Sequence, residues 1–563
     1  MRKSKKNWLN VTVIAVMCLA VVLAGCSTSS KDSKATPAAS DNKAAASKDP
    51  FGKYSTPINL TVSRDLSPTK KFLPGEDLTN NSWIKMYASQ LGINVTYSFT
   101  ASSDGTPSAY IQKLNANIAS GTLPDVFQVD ARQLAELSAA GKLADLTQAW
   151  ADYASPEVKE NYNRDAGLAL KSATVNGKLN AIPILKGGNL GQARMVWVRT
   201  DWLKKLNLAE PKTMQDLLNI AEAFTTKDPD GNGKNDTYGI GFNKNFFSAN
   251  FGTEAFFQGY RAYPQLWTKD STGKLQYGST MPEMKKGLAT LQDLYKKGII
   301  DKEFAVKDTN NMVEDVSQNK VGILSGLNWI CYTINPAIQK NANMDWKPFP
   351  ILSADDKPAL AAVPNSIANY IVVRKGFSNP EAAIKMVNVY FQKYNSTSLD
   401  DYYTYMTDKN DPTLNLFDNA ATNSMIPINF DLTIAKNLRD AFDKKSDAGL
   451  KPDAKVYYGN IEKFFAGDRT MWATNKQRGL KDSAYNIWQE YDKKFIDAEF
   501  YGAPTPTMID KLATLQKLEV ETFTKIVMGN ATVDSFDKFV TDWKSLGGEA
   551  MTKEVNDWKA AQK

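Results

Sequence analysis

Ile58-Asn59-Leu60-Thr61-Val62 and Ile93-Asn94-Val95-Thr96-Tyr97 alternate in the way strands do, and a helical pattern around Trp83 to Leu91 lies between them. Parallel strands joined over so short a stretch need a helical crossover, so the chain opens on a βαβ unit. Tyr110 to Ala119 then carries apolar residues at helical spacing, Gly121 suits a C-terminal cap, and Pro124 introduces the strand Val126-Phe127-Gln128-Val129. This order predicts parallel α/β layering. Asn176-Gly177 marks a turn before a strand over Leu179 to Ile184, followed by a polar, glycine-rich loop through Asn189. The next strand, Met195-Val196-Trp197-Val198, is expected to bury Trp197. From about Pro380 the pattern is mostly helical, ending in amphipathic segments around Thr507 to Met528 and Val533 to Leu546. No internal repeat is evident.

The folded region starts late. Arg2, Lys3, Lys5 and Lys6 precede the apolar stretch Val11 to Leu23, which is too short for a settled transmembrane helix and reads as an export signal. Leu23-Ala24-Gly25-Cys26 closes it with small residues directly before a cysteine, the requirement for lipid transfer to the Cys26 thiol and cleavage ahead of it. Ser27 to Asp49 has no aromatic residue and no apolar periodicity, so it reads as a tether, with an r.m.s. span of about 25 Å from coil scaling. Beyond it the chain is too long for one core and is expected to form two lobes.

Composition excludes several chemistries. The sequence has no histidine, which removes Ser/His/Asp and Cys/His triads, His-rich zinc or iron sites and imidazole acid–base catalysis. Paired-carboxylate glycoside hydrolysis survives that exclusion. Of 68 Lys and Arg against 61 Asp and Glu, four basic residues lie in the signal, which leaves the remainder close to neutral. No basic block follows, so nucleic-acid binding is not expected. Of the three cysteines only Cys331 lies in the body of the chain, so no internal disulfide is expected.

Asp228-Pro229-Asp230-Gly231-Asn232-Gly233-Lys234-Asn235-Asp236-Thr237 places oxygen-bearing side chains at alternate positions with glycines where the backbone must fold around a centre. As an EF-type loop beginning at Asp228, the third, fifth and ninth positions are Asp230, Asn232 and Asp236, and the seventh offers the carbonyl of Lys234. The twelfth is Gly239 in place of a bidentate glutamate, so Thr237, another segment or water completes the shell. The expectation is a structural Ca²⁺ site; the alternative is a metal-free Asx turn.

These features converge on a resemblance. Val198-Arg199-Thr200-Asp201-Trp202-Leu203-Lys204-Lys205-Leu206, Pro211-Lys212-Thr213, the Asp228 loop ending Asp236-Thr237-Tyr238-Gly239, Ala119 to Asp125, Tyr295 to Asp301 and the C-terminal Gly547-Gly548 with Glu554 to Trp558 resemble family 1 extracellular solute-binding proteins. More specifically, the chain is similar to the lipoprotein branch that serves ABC oligosaccharide importers, related to alginate-oligosaccharide binders. At Asp230 those binders have an amide and at Thr237 a glutamate, so their ion affinity does not carry over.

The resemblance implies a two-lobe periplasmic-binding-protein-like α/β fold of type II, with hinged lobes and a central cleft. It places one lobe at 51–182 with about 375–440, and the other, carrying the Asp228 loop, at 183–374 with about 441–563. Similar proteins contact sugar after the first and third strands, which makes Arg64, Asp65, Gln128 and Asp130 candidates. The loop after Val321-Gly322-Ile323-Leu324 commonly holds a platform aromatic, here Trp329 beside Asn328; Tyr263, Trp267, Tyr402 and Trp472 are further candidates. Aromatic faces pack on pyranose rings while carboxylates, amides and guanidinium groups satisfy hydroxyls. The expected function is that of a monomeric, lipid-anchored receptor that delivers an oligosaccharide to an ABC permease, without catalysis, on the outer face of a Gram-positive cytoplasmic membrane. A cell-surface glycoside hydrolase and a sugar-sensing lipoprotein are the alternatives. Fatty-acid labelling of the expressed chain is expected to be lost on Cys26→Ala; equal labelling of both would remove the anchor.

Overall fold

The computed structural model describes residues 48–66, 70–102, 108–187, 190–364, 367–411, 414–422, 425–491 and 495–562. The export signal, Cys26, most of the tether and residues 188–189 of the expected polar loop lie outside them. Ala44–Lys563 clusters as one compact unit. The chain runs through β1 (Ile58–Leu66), α1 (Ser82–Met86), β2 (Ile93–Ser102), α2 (Ala109–Ser120), β3 (Val126–Val129), α3 (Ala131–Ala139) and β4 (Ile182–Leu185). It continues with β5 (Met195–Arg199), α4 (Met214–Thr226), β6 (Tyr238–Gly241), β7 (Val321–Gly326), α5 (Ile330–Lys340) and β8 (Trp346–Phe349). β9 (Ile367–Val373), α6 (Glu381–Tyr394), α7 (Pro452–Phe465), α8 (Trp472–Arg478) and α9 (Pro506–Val527) complete the main elements.

Two sheets seed two cores. The first has the order β2-β1-β3-β9-β4: β1 runs parallel to β2 and β3, as the βαβ opening requires, and β9 is antiparallel to both β3 and β4. The second has the order β8-β5-β7-β6, with β7 parallel to β6 and antiparallel to β5. Every residue of β3, β5 and β7 is buried, the signature of strands covered on both faces. In β7 a Cβ at Gly322 would come within 2.1 Å of the Phe224 ring, so the close seating of α4 on that sheet depends on the missing side chain. Local signals hold the helices: Ser108 caps α2, which ends on Gly121 at φ +74°, and Asp130 and Gln133 form a reciprocal capping box on α3.

The first core gathers buried residues from Tyr54 to Leu185 and from Tyr370 to Ile428, and the second those from Ala193 to Val363 and from Ile434 to Val555. The chain therefore passes between cores three times. This corrects the expected boundaries: β4 and β9 belong to the first sheet, and Ile434 to Leu438 pack in the second core. An apolar strand such as β9 suits either sheet by pattern, and only its pairing with β3 and β4 decides. The strand expected over Leu179 to Ile184 is also broken. Lys178–Leu179 pairs with Thr174–Val175 around the Asn176-Gly177 turn, both turn residues at positive φ, and β4 starts afresh at Ile182. Trp197 is fully buried. Among the described residues the late region contains one strand beside its helices, Phe495–Asp497, parallel to Ala361–Val363. Among the described residues no helix is long and apolar enough to cross a membrane.

One buried acid makes the second core sensitive to pH. Glu519 of α9 is fully buried and accepts hydrogen bonds from Ser279 Oγ at 2.7 Å and Tyr277 Oη at 3.2 Å. Burial raises its carboxyl to about 8, against the pull of those two donors. The folded state thus holds a proton that the unfolded state releases above its ordinary value of 4.5. The stability from this site is complete below that value and falls as pH rises through about 8, by up to about 1.4 kcal/mol per pH unit. Glu519→Gln is expected to remove this slope, so urea midpoints at pH 5 and pH 8 should converge on or cross those of the unsubstituted protein as pH rises; a gap independent of pH would contradict it.

Candidate functional site

At the ends of the first-sheet strands, the sequence candidates have different fates. Arg64 is buried, and its Nη1 donates to the carbonyls of Asp418 at 2.6 Å and Ala420 at 2.8 Å, while Nε donates to Asp65 O at 3.2 Å. The guanidinium is thus spent on tying β1 to the 416–422 segment and is not free for a ligand, which corrects its expected role. Asp65 beside it is half-buried. Asp130 accepts the Gln133 N–H at 2.7 Å and serves as a helix cap. Gln128 is buried, and its Nε2 has no partner among the described residues.

The second sheet ends more openly. After β7 the chain turns through Leu327 and Asn328 to Trp329, which starts α5 and is 41% exposed. Tyr332, three residues on and so on the same helix face, is also 41% exposed. Two large aromatics left open side by side are unusual in a chain that buries Trp83, Trp197, Trp202, Trp346, Trp472, Trp488 and Trp543. Asn328, next to Trp329 in the chain, is buried; its Nδ2 donates to Gly191 O at 3.4 Å and its Oδ1 accepts from Gln477 Nε2.

Arg478, at the end of α8, sits beside this pair. Its Nη1 donates to Tyr332 Oη at 3.1 Å, and its guanidinium lies 4.0 Å from the Tyr457 ring centroid and 5.5 Å from that of Tyr485. Nη2 is 3.5 Å from Asp431 Oδ1, which also accepts the Tyr485 hydroxyl at 2.7 Å, and Arg478 Nε is buried without a partner among the described residues. Tyr402 packs against the first core and feels the charges of this group. Burial raises its phenol above the ordinary range, with Tyr457 and Asp453 adding to the effect and Arg478 opposing it. Tyr403 packs edge-on against Tyr402 at 5.4 Å. Aromatic faces around a partly satisfied guanidinium and a carboxylate are the materials from which a sugar site is built.

Tyr332, Tyr457, Arg478 and Asp431 were not read from the sequence. Tyr332 had a signal, its three-residue spacing from Trp329; the others come from distant helices and had none. Three other candidates belong to the core. Trp472 is fully buried and donates through Nε1 to Asp345 Oδ1 at 2.8 Å. Trp267 packs against Tyr277 at 5.3 Å and Trp543 at 6.5 Å, and Tyr263 is buried, with its phenol pushed up to about 12 by burial. Their loops looked exposed in sequence, but the C-terminal helices cover Trp267.

The Asp228 loop forms a tight turn. Asp228 accepts the N–H groups of Gly231 at 2.9 Å, Asn232 at 3.1 Å and Gly233 at 3.0 Å, and Gly231 and Gly233 both have φ +77°. Asn232 Nδ2 donates to Asp230 Oδ2 at 2.8 Å and Asp236 Oδ1 at 3.1 Å, while its Oδ1 accepts the Lys234 N–H at 2.7 Å. Desolvation and the neighbouring carboxyls of Asp228 and Asp236 push Asp230 above the usual carboxylate range. The donors are all oxygens, the ligand type a hard cation takes, and the Lys205 ammonium stands beside the turn at Gly231. As the side chains stand, no group of three or more acidic, histidine or cysteine residues among the described residues is set to hold a metal. Thr237 is not a free donor: its hydroxyl is buried and bonds Phe224 O at 2.8 Å, which corrects its place in the ligand set.

Comparison with known proteins agrees with this architecture. The chain is 24% identical to Lipoprotein LipO and 23% identical to the polygalacturonan/rhamnogalacturonan-binding protein YtcQ, both of Bacillus subtilis, each alignment covering 98% of both chains. In structure it is similar to an EF-hand mutant of the S. pneumoniae ABC-transporter substrate-binding protein FusA in complex with fructo-nystose. That likeness has a TM-score of 0.62 at 18% identity and covers 90% of this chain and all of that one. The fold is the two-lobe, type II solute-binding-protein fold. The family profile of bacterial extracellular solute-binding proteins matches residues 75–394, more than half of the chain, and the chain belongs to that family.

Proposed function

We propose that the chain is the substrate-binding component of an ABC importer, lipid-anchored at Cys26, which captures an oligosaccharide between its two cores and delivers it to a membrane permease without altering it. The observation that carries this reading is the open pair Trp329 and Tyr332, with Arg478 donating to Tyr332 Oη. A ligand touching both cores favours the closed arrangement by its differential affinity, and closure is what a permease reads. The names of the relatives, a polygalacturonan/rhamnogalacturonan binder and a fructo-nystose complex, support a carbohydrate ligand. The protein acts as a monomer on the outer face of the cytoplasmic membrane, in a Gram-positive host.

The Asp228 loop is proposed as a structural Ca²⁺ site held by Asp228, Asp230, Asn232, Asp236 and the Lys234 carbonyl. Bound calcium would supply positive charge where three carboxylates crowd one turn.

A panel of neutral and acidic oligosaccharides is expected to give a rise in melting temperature with one glycan class, the sugar being intact afterwards. Cleaved sugar would replace this reading with a hydrolase. Trp329→Ala is expected to weaken the responding sugar by about 10- to 100-fold in calorimetry, and unchanged affinity would remove the platform. Chelation should lower the melting temperature by several degrees, reversed by added Ca²⁺, and Asp228→Ala should abolish the response; an unmoved midpoint and metal-free elemental analysis would leave the loop an Asx turn.

A further inference from the structure

Residues 49–54, where the low-complexity segment meets the folded unit, are gripped by side chains of α6. Lys385 is fully buried and donates through Nζ to the carbonyls of Asp49 and Gly52, each at 2.7 Å. Asn388, also fully buried, donates through Nδ2 to Pro50 O at 2.9 Å and Tyr153 O at 2.7 Å, and its Oδ1 accepts the Ser155 N–H at 3.0 Å. The Tyr54 hydroxyl donates to Glu381 Oε1 at 2.9 Å. The rings of Tyr54 and Tyr153 stand 5.8 Å and 5.2 Å from the Lys385 ammonium. A lysine taken out of water is retained only where its donors are met. Here two of its three donors go to the main chain of one six-residue stretch, which makes no strand or helix of its own.

We propose that Lys385 and Asn388 form a root clamp that fixes where the anchored chain enters the first core, so that the face carrying the exposed residues Pro156, Glu157 and Glu160 fronts the membrane. The inference rests on the anchor at Cys26 and on the two-core receptor reading above. On the sequence reading of Ser27 to Asp49 as a tether, coil scaling gives an r.m.s. span of about 25 Å, close to the radius of gyration of about 23 Å expected for a folded unit of roughly 500 residues. A tether no longer than that cannot present all faces of its load equally, provided its root is rigid. With the first core held, the second core carries the displacement when a ligand closes the pair.

The full lipoprotein in phosphatidylcholine vesicles containing an acceptor-labelled lipid tests this. Lipidation consumes the Cys26 thiol and Cys331 is buried, so a dye on Glu157→Cys, two residues beyond Ser155, or on Lys517→Cys of the second core labels one exposed site at a time. Energy transfer to the lipid is expected to be several-fold stronger from position 157 than from 517, and Lys385→Met should bring the two towards equality. Equal or reversed transfer in the otherwise unsubstituted protein would overturn the proposal. Amide exchange compared between the unsubstituted protein and Lys385→Met reads the clamp itself: Gly52, whose N–H donates to Asp49 O at 3.0 Å, should lose protection at least tenfold in the variant while Tyr54, held by Leu91 O, changes less, and unchanged exchange at Gly52 would overturn it. A chain that fails to attach to vesicles signals failure of the anchor and of the membrane-facing assignment with it, while exchange still decides the clamp.

Discussion

A strand from late in the chain completes the first sheet. β9 lies antiparallel between β3 and β4, so the first core cannot close without residues that follow most of the second core in sequence. The three passages between cores follow from that insertion. Two of them are also laced together: Gly187 N–H donates to Ile426 O, and Asn429 N–H to Gly187 O, both at 3.0 Å. Relative motion of the cores must therefore be taken up by paired backbone, which favours a few defined arrangements over free drift.

The chemistry of the candidate site follows from where charge is left incompletely matched. Most buried ions here are well paired. Arg199 is forked onto Asp201 at 2.6 and 2.8 Å and stacked on Trp202, and Asp345 collects Lys476, Thr200 and Trp472. The carboxyl of Asp345 lies below the usual range although burial raises it, because Lys476 and these donors outweigh the desolvation. Arg478 differs: its ion pair with Asp431 is at 3.5 Å, its Nε has no partner among the described residues, and the rings of Tyr457 and Tyr485 lie beside it. Such a group gains most from a polar ligand that arrives with hydroxyls or a carboxylate to offer.

Much of the scaffold was legible in sequence because its signals are local. The alternation over 58–62, the Gly121 cap, the four-residue strand after Pro124 and the Asn176-Gly177 turn each depend on neighbouring residues, and each stands where the pattern put it. What could not be read is non-local. The sheet that takes β9 is decided by pairing across the molecule, and the burial of Trp267 and Trp472 is decided by helices far along the chain. The split among polar candidates has the same cause. Arg64 looks identical in sequence whether it faces a ligand or the carbonyls of residues 418 and 420. Trp329 was singled out because the family resemblance puts a platform aromatic in the loop after Val321-Gly322-Ile323-Leu324, and the structure leaves it exposed there. Arg478 could not be, since nothing local distinguishes it from any helical arginine.

The late arrival of β9 also bears on how the protein is made. Synthesis delivers β1, β2 and β3 first, and β3 is a fully buried strand, apolar except for Gln128, whose second edge pairs with β9. Until Val373 has emerged, the nascent chain carries an open hydrophobic edge of the kind that pairs with other chains. Any holding chaperone is therefore needed most between the appearance of residue 129 and that of residue 373, a window set by topology and not by the chemistry of any one side chain.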